Sequence, residues 1–182
     1  MQDFGGLKQK IKSTEEWLQK ELGQIRTGRA TPAILDSVLV ESYGAQMPIA
    51  QLATVMSEDP RTLRISPWDA QNIKPIEKAI QTSNLGLSVA VDDKGLRVSF
   101  PSLTTESRNN FVKIAKTKLE EAKVALRQER NKMNDDLNAK KRDSEISEDE
   151  AAKGRTDVDK LIKEASDKLD QAFEKKEKEI LQ

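Results

Sequence analysis

Cysteine and histidine are both absent from the 182 residues of this chain. Their absence excludes disulfides, the usual zinc donor sets, thiol nucleophiles and every Ser-His or Cys-His arrangement. No metal or other cofactor is therefore expected. Aromatic residues make up only 4%, too few for a carbohydrate site or a single-strand stacking platform, which need several exposed rings. No apolar run approaches the length of a membrane span. The opening residues Met1 to Gly6 lack the charged head and apolar stretch of a signal peptide, so a cytoplasmic protein is expected. Net charge is also missing, since 31 basic groups balance 31 acidic ones.

The chain is rich in amphipathic patterning, with 36% hydrophobic and 34% charged residues. The zero net charge hides a regional order. Residues 1–30 carry six basic and four acidic groups, and 31–103 carry six and eight. Residues 104–146 carry eleven and eight, and 147–182 carry eight and eleven. Two basic segments thus flank an acidic middle, and such regional sign governs partner choice more than the sum does.

Apolar residues at steps of three, four or seven predict three helices. The first runs through Leu7, Ile11, Leu18, Leu22 and Ile25, with Arg26 and Arg29 on its last turn. The second runs from Thr105 to about Ser144 through Phe111, Ala115, Leu119, Ala122, Leu126, Met133 and Leu137, about 60 Å long. Asp143 to Ile146 breaks it, and Ser147 with Glu150 has the spacing of a capping box. The third helix continues through Val158, Leu161, Ile162, Ala165, Leu169, Ala172, Phe173 and Ile180. Three narrow seams of this length are buried most economically against one another, as a long antiparallel three-helix bundle.

Between residues 31 and 104 the period changes. Val38 to Tyr43, Leu52 to Val55 and Leu63 to Ile65 read as strands, with a turn at Gly44-Ala45. A helix carrying Pro75, Ile76 and Ile80 ends near Leu85-Gly86-Leu87, and Val89 to Val91 pairs with Leu96 to Val98. The expected fold class is α+β: a bundle from 1–30 plus 105–182, with a small β/α/β domain at 31–104 inserted in it. Two crossings join the parts, at Ala30-Thr31 and Leu103-Thr104, and paired linkers suit a hinge.

Cations follow one flank of the second seam: Lys116, Lys123, Arg127, Arg130 and Lys141, with Asn134 among them. Residues one and four positions after a seam residue lie about 60° apart on one side of a helix. Arg26 and Arg29 repeat the relation after Leu22 and Ile25. Such a track suits a nucleic-acid backbone, read by phosphate and shape because rings are scarce. The same spacing also suits a coiled-coil flank whose lysines and arginines pair with acids of a neighbouring helix. Catalysis is not expected. The acid pairs Asp92-Asp93 and Asp135-Asp136 and the cluster Glu148 to Glu150 are adjacent positions that do not converge, and Gly5-Gly6 lacks the context of a phosphate loop.

Seven ordered motifs span nearly the whole chain. They are Ile25-Arg26-Thr27-Gly28-Arg29-Ala30 with Pro32, and Glu58-Asp59 with Arg61-Thr62-Leu63. Glu77-Lys78-Ala79-Ile80, Leu85-Gly86-Leu87, and Leu103-Thr104 with Glu106 and Arg108 follow. Ala125-Leu126-Arg127 with Arg130, and Glu145-Ile146-Ser147-Glu148-Asp149, complete the set. On these motifs the chain resembles the ribosome recycling factor family. The resemblance implies an L-shaped, non-enzymatic monomer with a hinge. It implies binding to the post-termination ribosome on large-subunit RNA. With elongation factor G and GTP, the ribosome would be split, releasing messenger and deacylated transfer RNA. Positions matching the family's RNA-facing arginines are Arg26, Arg29, Arg108, Arg127 and Arg130; the stripe adds Lys116 and Lys123 as expected RNA contacts. Ser107 and Asn131 stand where many members have arginine, and Ser88-Val89 where many have Asn-Pro. A helical adaptor without an RNA role is the competing reading.

Overall fold

The computed structural model describes residues 4–182. The chain forms two compact units. One takes the chain through Leu22 together with Lys113–Glu177, and the other takes Gly23–Val112 together with Lys178–Gln182. Among the described residues, no helix is long and apolar enough to cross a membrane.

The first unit is built from the greater part of three helices, α1 (Gly5–Gln24), α3 (Thr105–Arg142) and α4 (Glu148–Leu181), whose remaining turns belong to the second unit. Their apolar stripes close on one another. Leu7, Ile11, Leu18 and Leu22 of α1 are buried, as are Ala115, Leu119, Ala122, Leu126 and Leu137 of α3. Ala151, Val158, Ile162, Ala165 and Leu169 of α4 complete the interior. Each buried Leu or Ile contributes about 1.5–3 kcal/mol, which offsets the cost of ordering long helices. Ion pairs give the directions. Lys118 meets Glu21 at 3.1 Å, Lys123 meets Asp170 at 2.7 Å, and Lys168 meets Glu15 at 3.4 Å. Arg155 donates to Asn138 Oδ1 at 2.5 Å. So α3 runs antiparallel to α4, as the seams predict.

Local chemistry sets the helix ends. Thr104 Oγ1 accepts from the Ser107 N–H at 3.1 Å and caps α3. At its other end Ser144 adopts φ 61. The Ser144 N–H donates to Lys141 O at 3.1 Å and the Glu145 N–H to Lys140 O at 2.9 Å. This pair of bonds is a Schellman stop. The capping box forms as spaced: the Ser147 N–H reaches Glu150 Oε2 at 2.8 Å, and the Glu150 N–H reaches Ser147 Oγ at 3.2 Å. Hydrogen bonds from Ser147 hold the Glu150 carboxyl below its ordinary value.

The first helix is shorter than its period suggests. It ends at Gln24, so Ile25, Arg26 and Arg29 do not share a helix face. Ile25 is still buried, but from a non-helical backbone.

The second unit carries a hairpin, β1 (Leu39–Ser42) with β2 (Ala45–Pro48), and a four-stranded antiparallel sheet. The sheet comprises β3 (Ala53–Asp59), β4 (Thr62–Pro67), β5 (Ser88–Asp92) and β6 (Gly95–Ser99) in the order β3-β4-β6-β5. Helix α2 (Ile73–Thr82) lies between β4 and β5 in sequence. Ile34, Leu35, Val40, Ile49, Leu63, Ile65, Ile76, Ile80, Leu96 and Val98 form its core. Strand β2 was not expected. Tyr43 at φ 52 and Gly44 at φ 77 form a two-residue turn that returns Ala45–Pro48 onto β1. Helix α2 also stops earlier than expected, at Thr82, because the Ser83 N–H already caps Ala79 and Ile80 carbonyls.

The other sheet face is charged. Arg64 and Arg97 stand directly opposite on β4 and β6, an arrangement that is repulsive by itself. Glu58 answers Arg97 with two bonds of 2.8 Å, and Asp92 answers Arg64 at 2.6 and 2.7 Å. Arg97 holds the Glu58 carboxyl below the usual carboxylate range, and Arg64 does so for Asp92.

Candidate nucleic-acid interface

The cations of α3 divide into two groups. Lys123 is half-buried and bonded to Asp170 at 2.7 Å; Lys141 is half-buried and meets Glu148 at 3.3 Å. Both pair with acids of α4, as cations flanking a coiled-coil seam do. Lys116 and Arg127 are exposed, and Arg130 is half-exposed. Among the described residues, none of these three side chains forms a hydrogen bond or an ion pair. From Lys116 to Arg130 the track is about 21 Å long at 1.5 Å per residue. Glu120 stands at its edge, exposed and four residues after Lys116, yet makes no ion pair with it. Asn134 lies farther along, with Oδ1 buried and without a hydrogen-bond partner. Lys113, three residues before Lys116, is exposed and extends the track by a turn; its distance from the seam hid it from the sequence pattern.

Lys118, on the opposite flank, is committed elsewhere. It meets Glu21 at 3.1 Å and lies 5.5 Å from the Trp17 ring centre. Glu21 and then Glu121 raise its pKa.

The remaining expected contacts are in the second unit. Arg29 is exposed and its side chain is unpartnered among the described residues. Its backbone N–H bonds Thr27 Oγ1 at 3.2 Å. Arg108 is half-buried and donates through Nη1 to Leu181 O at 2.7 Å, while Nε is buried without a partner. Arg26 is 7% exposed. Its Nη1 donates to Leu85 O at 3.1 Å and Gly86 O at 3.2 Å, and its Nη2 to Pro101 O at 2.5 Å. Burial lowers its pKa. Arg26 thus directs both Nη groups to main-chain carbonyls, while its Nε is buried without a hydrogen-bond partner.

The expected pivots meet mixed surroundings. Ala30 is buried, donates its N–H to Pro60 O at 2.8 Å and accepts from Ser57 Oγ at 3.4 Å. Thr31 is exposed and precedes a 3-10 turn over Pro32–Ser37. Leu103 is half-buried, and Thr104 caps α3.

A family model described as Ribosome recycling factor matches residues 18–181. The chain belongs to the ribosome recycling factor family. It is 48% identical over 165 residues to the ribosome-recycling factor of Solidesulfovibrio magneticus, covering 91% of this chain and 90% of that one. To the ribosome-recycling factor of Halalkalibacterium halodurans it is 43% identical over 174 residues, covering 96% and 94%. Its fold is similar to a solution structure of the ribosome recycling factor, with TM-score 0.76, 32% identity and coverage of 98% and 95%. It is also similar to the T. thermophilus ribosome recycling factor described with the E. coli elongation factor G bound to the E. coli post-termination complex. There the TM-score is 0.69, with 38% identity and coverage of 98% and 97%.

Two departures from the ribosome recycling factor pattern have visible settings. Ser107 takes part in the α3 cap, accepting at Oγ from Thr104 Oγ1 at 2.9 Å. Asn131 is exposed on α3, next to Arg130.

Proposed function

We propose that this chain binds the post-termination ribosome and, with elongation factor G and GTP, splits it into subunits, releasing messenger and deacylated transfer RNA. One observation carries the RNA contact: along one flank of α3, Lys123 and Lys141 are neutralised while Lys116, Arg127 and Arg130 keep their charge for a partner. Unpaired guanidinium forks on a straight rod suit phosphate oxygens of structured RNA. Arg29 adds an exposed fork, and the half-buried Arg108 adds its remaining guanidinium donors other than the buried Nε. The family membership and the likeness to a factor bound to a post-termination complex support the same partner. The protein acts as a monomer and catalyses nothing itself, since elongation factor G supplies GTP hydrolysis.

The test is splitting of post-termination ribosomes by the chain with elongation factor G and GTP, scored by sedimentation of subunits. Free subunits appear only when all three are present if the proposal holds. Intact ribosomes with a compatible elongation factor G would leave the helical adaptor as the better account.

A further inference from the structure

Arg26 is a buried cation with no carboxylate partner among the described residues. Taking a guanidinium out of water is costly, and here only main-chain carbonyls and the Phe100 ring, 5.8 Å from Cζ, compensate. The three acceptors belong to two separate places in the chain. Leu85 and Gly86 form the loop between α2 and β5, and Pro101 follows β6 on the way to α3. Arg26 itself follows α1 by two residues. A planar fork fixes such acceptors relative to one another, which a lysine ammonium cannot do from a single nitrogen.

We propose that Arg26 is a positioning residue for ribosome splitting. Its fork fastens the segment by which the chain enters the sheet unit, the segment by which it leaves, and the α2–β5 loop into one rigid node. The inference rests on the recycling function proposed above. A load applied to the sheet unit reaches the incoming and outgoing backbone without slack only while the three segments stay fastened. Ala30, four residues after Arg26, is held separately by its N–H to Pro60 O. Bending then falls outside the stretch from Arg26 to Pro101.

Gly86 offers a second handle on the node. It sits at φ +63, and a Cβ there would stand 3.3 Å from Arg26 Nη1. Gly86→Ala therefore crowds the fork without altering any charge.

The experiment compares the parent, Arg26→Lys and Gly86→Ala as full-length proteins in three measurements. These are Kd for post-termination ribosomes, splitting rate at saturation, and amide exchange at Phe100, whose N–H bonds Arg61 O at 2.8 Å beside Pro101. The expected result is a Kd within about threefold of the parent, splitting slower by about tenfold, and Phe100 exchange faster by about tenfold, since one charged hydrogen bond corresponds to about that factor. Parent-like splitting and exchange would overturn the proposal. So would a loss of affinity matching the loss of rate, which is the mark of a direct RNA contact. If the parent itself fails to split ribosomes, the recycling function and the splitting role of Arg26 fall, while Phe100 exchange still reports whether the fork fastens the node.

Discussion

Replacing Arg127 and Lys123 separately by alanine distinguishes a cation held for RNA from one spent inside the bundle. The two lie four residues apart on the same flank of α3, so chain position and helix propensity are nearly matched. Arg127 is exposed without a partner, whereas Lys123 is bonded to Asp170 at 2.7 Å. Removing one cation from a phosphate lowers the slope of log K against log salt by about 0.7–0.9. Between 50 and 200 mM salt, that slope corresponds to about a threefold change in affinity per phosphate neutralised. Arg127→Ala should therefore reduce the slope for ribosome binding by about 0.7–0.9, and the triple change of Lys116, Arg127 and Arg130 by about 2–3. Lys123→Ala should leave the slope unchanged and lower stability by about 0.2–1 kcal/mol, the range for a solvent-accessible ion pair. Co-sedimentation with ribosomes across a salt series, beside thermal melts of the free protein, measures both. Equal slope changes for Lys123→Ala and Arg127→Ala would refute the division of the stripe.

Three further outcomes follow from the local structure. Ser147→Ala removes the acceptor for the Glu150 N–H and should cost about 0.5–2 kcal/mol in a chemical melt, with Glu150→Ala acting on the same cap. Ser144→Gly relieves a residue held at φ 61 and should stabilise by about 0.5–1 kcal/mol. Because Glu58 and Asp92 titrate below their ordinary values when folded, their contribution is present above the unfolded value of about 4 and is lost as pH falls through the folded value. Stability of the parent should fall in that acid window more steeply than that of Asp92→Asn, read as denaturation midpoint against pH.

What the sequence makes legible here is what depends on neighbours close in the chain. The seams of α1, α3 and α4 come through because burial repeats at the helical period, and Ser147 with Glu150 comes through because both partners lie within one turn. Features set by distant partners do not come through. Arg26 looks like a helix-end cation until Leu85, Gly86 and Pro101, 59 to 75 residues away, claim its donors. Lys123 and Arg127 are equivalent in pattern, and only Asp170 on another helix separates them. Strand β2 escaped because Ala-Gln-Met-Pro has little strand propensity alone; pairing with β1 across Tyr43-Gly44 makes it a strand. The family motifs located the arginines, but geometry decides which of them are available.

The most direct measurement is light scattering of post-termination ribosomes mixed with this chain, elongation factor G and GTP. The Lys116, Arg127 and Arg130 triple alanine variant runs alongside. The account predicts a fall in scattering as subunits separate, with the triple variant needing more protein to reach the parent's rate. Unchanged scattering with the parent, or a triple variant that splits ribosomes at parental concentrations, would contradict it.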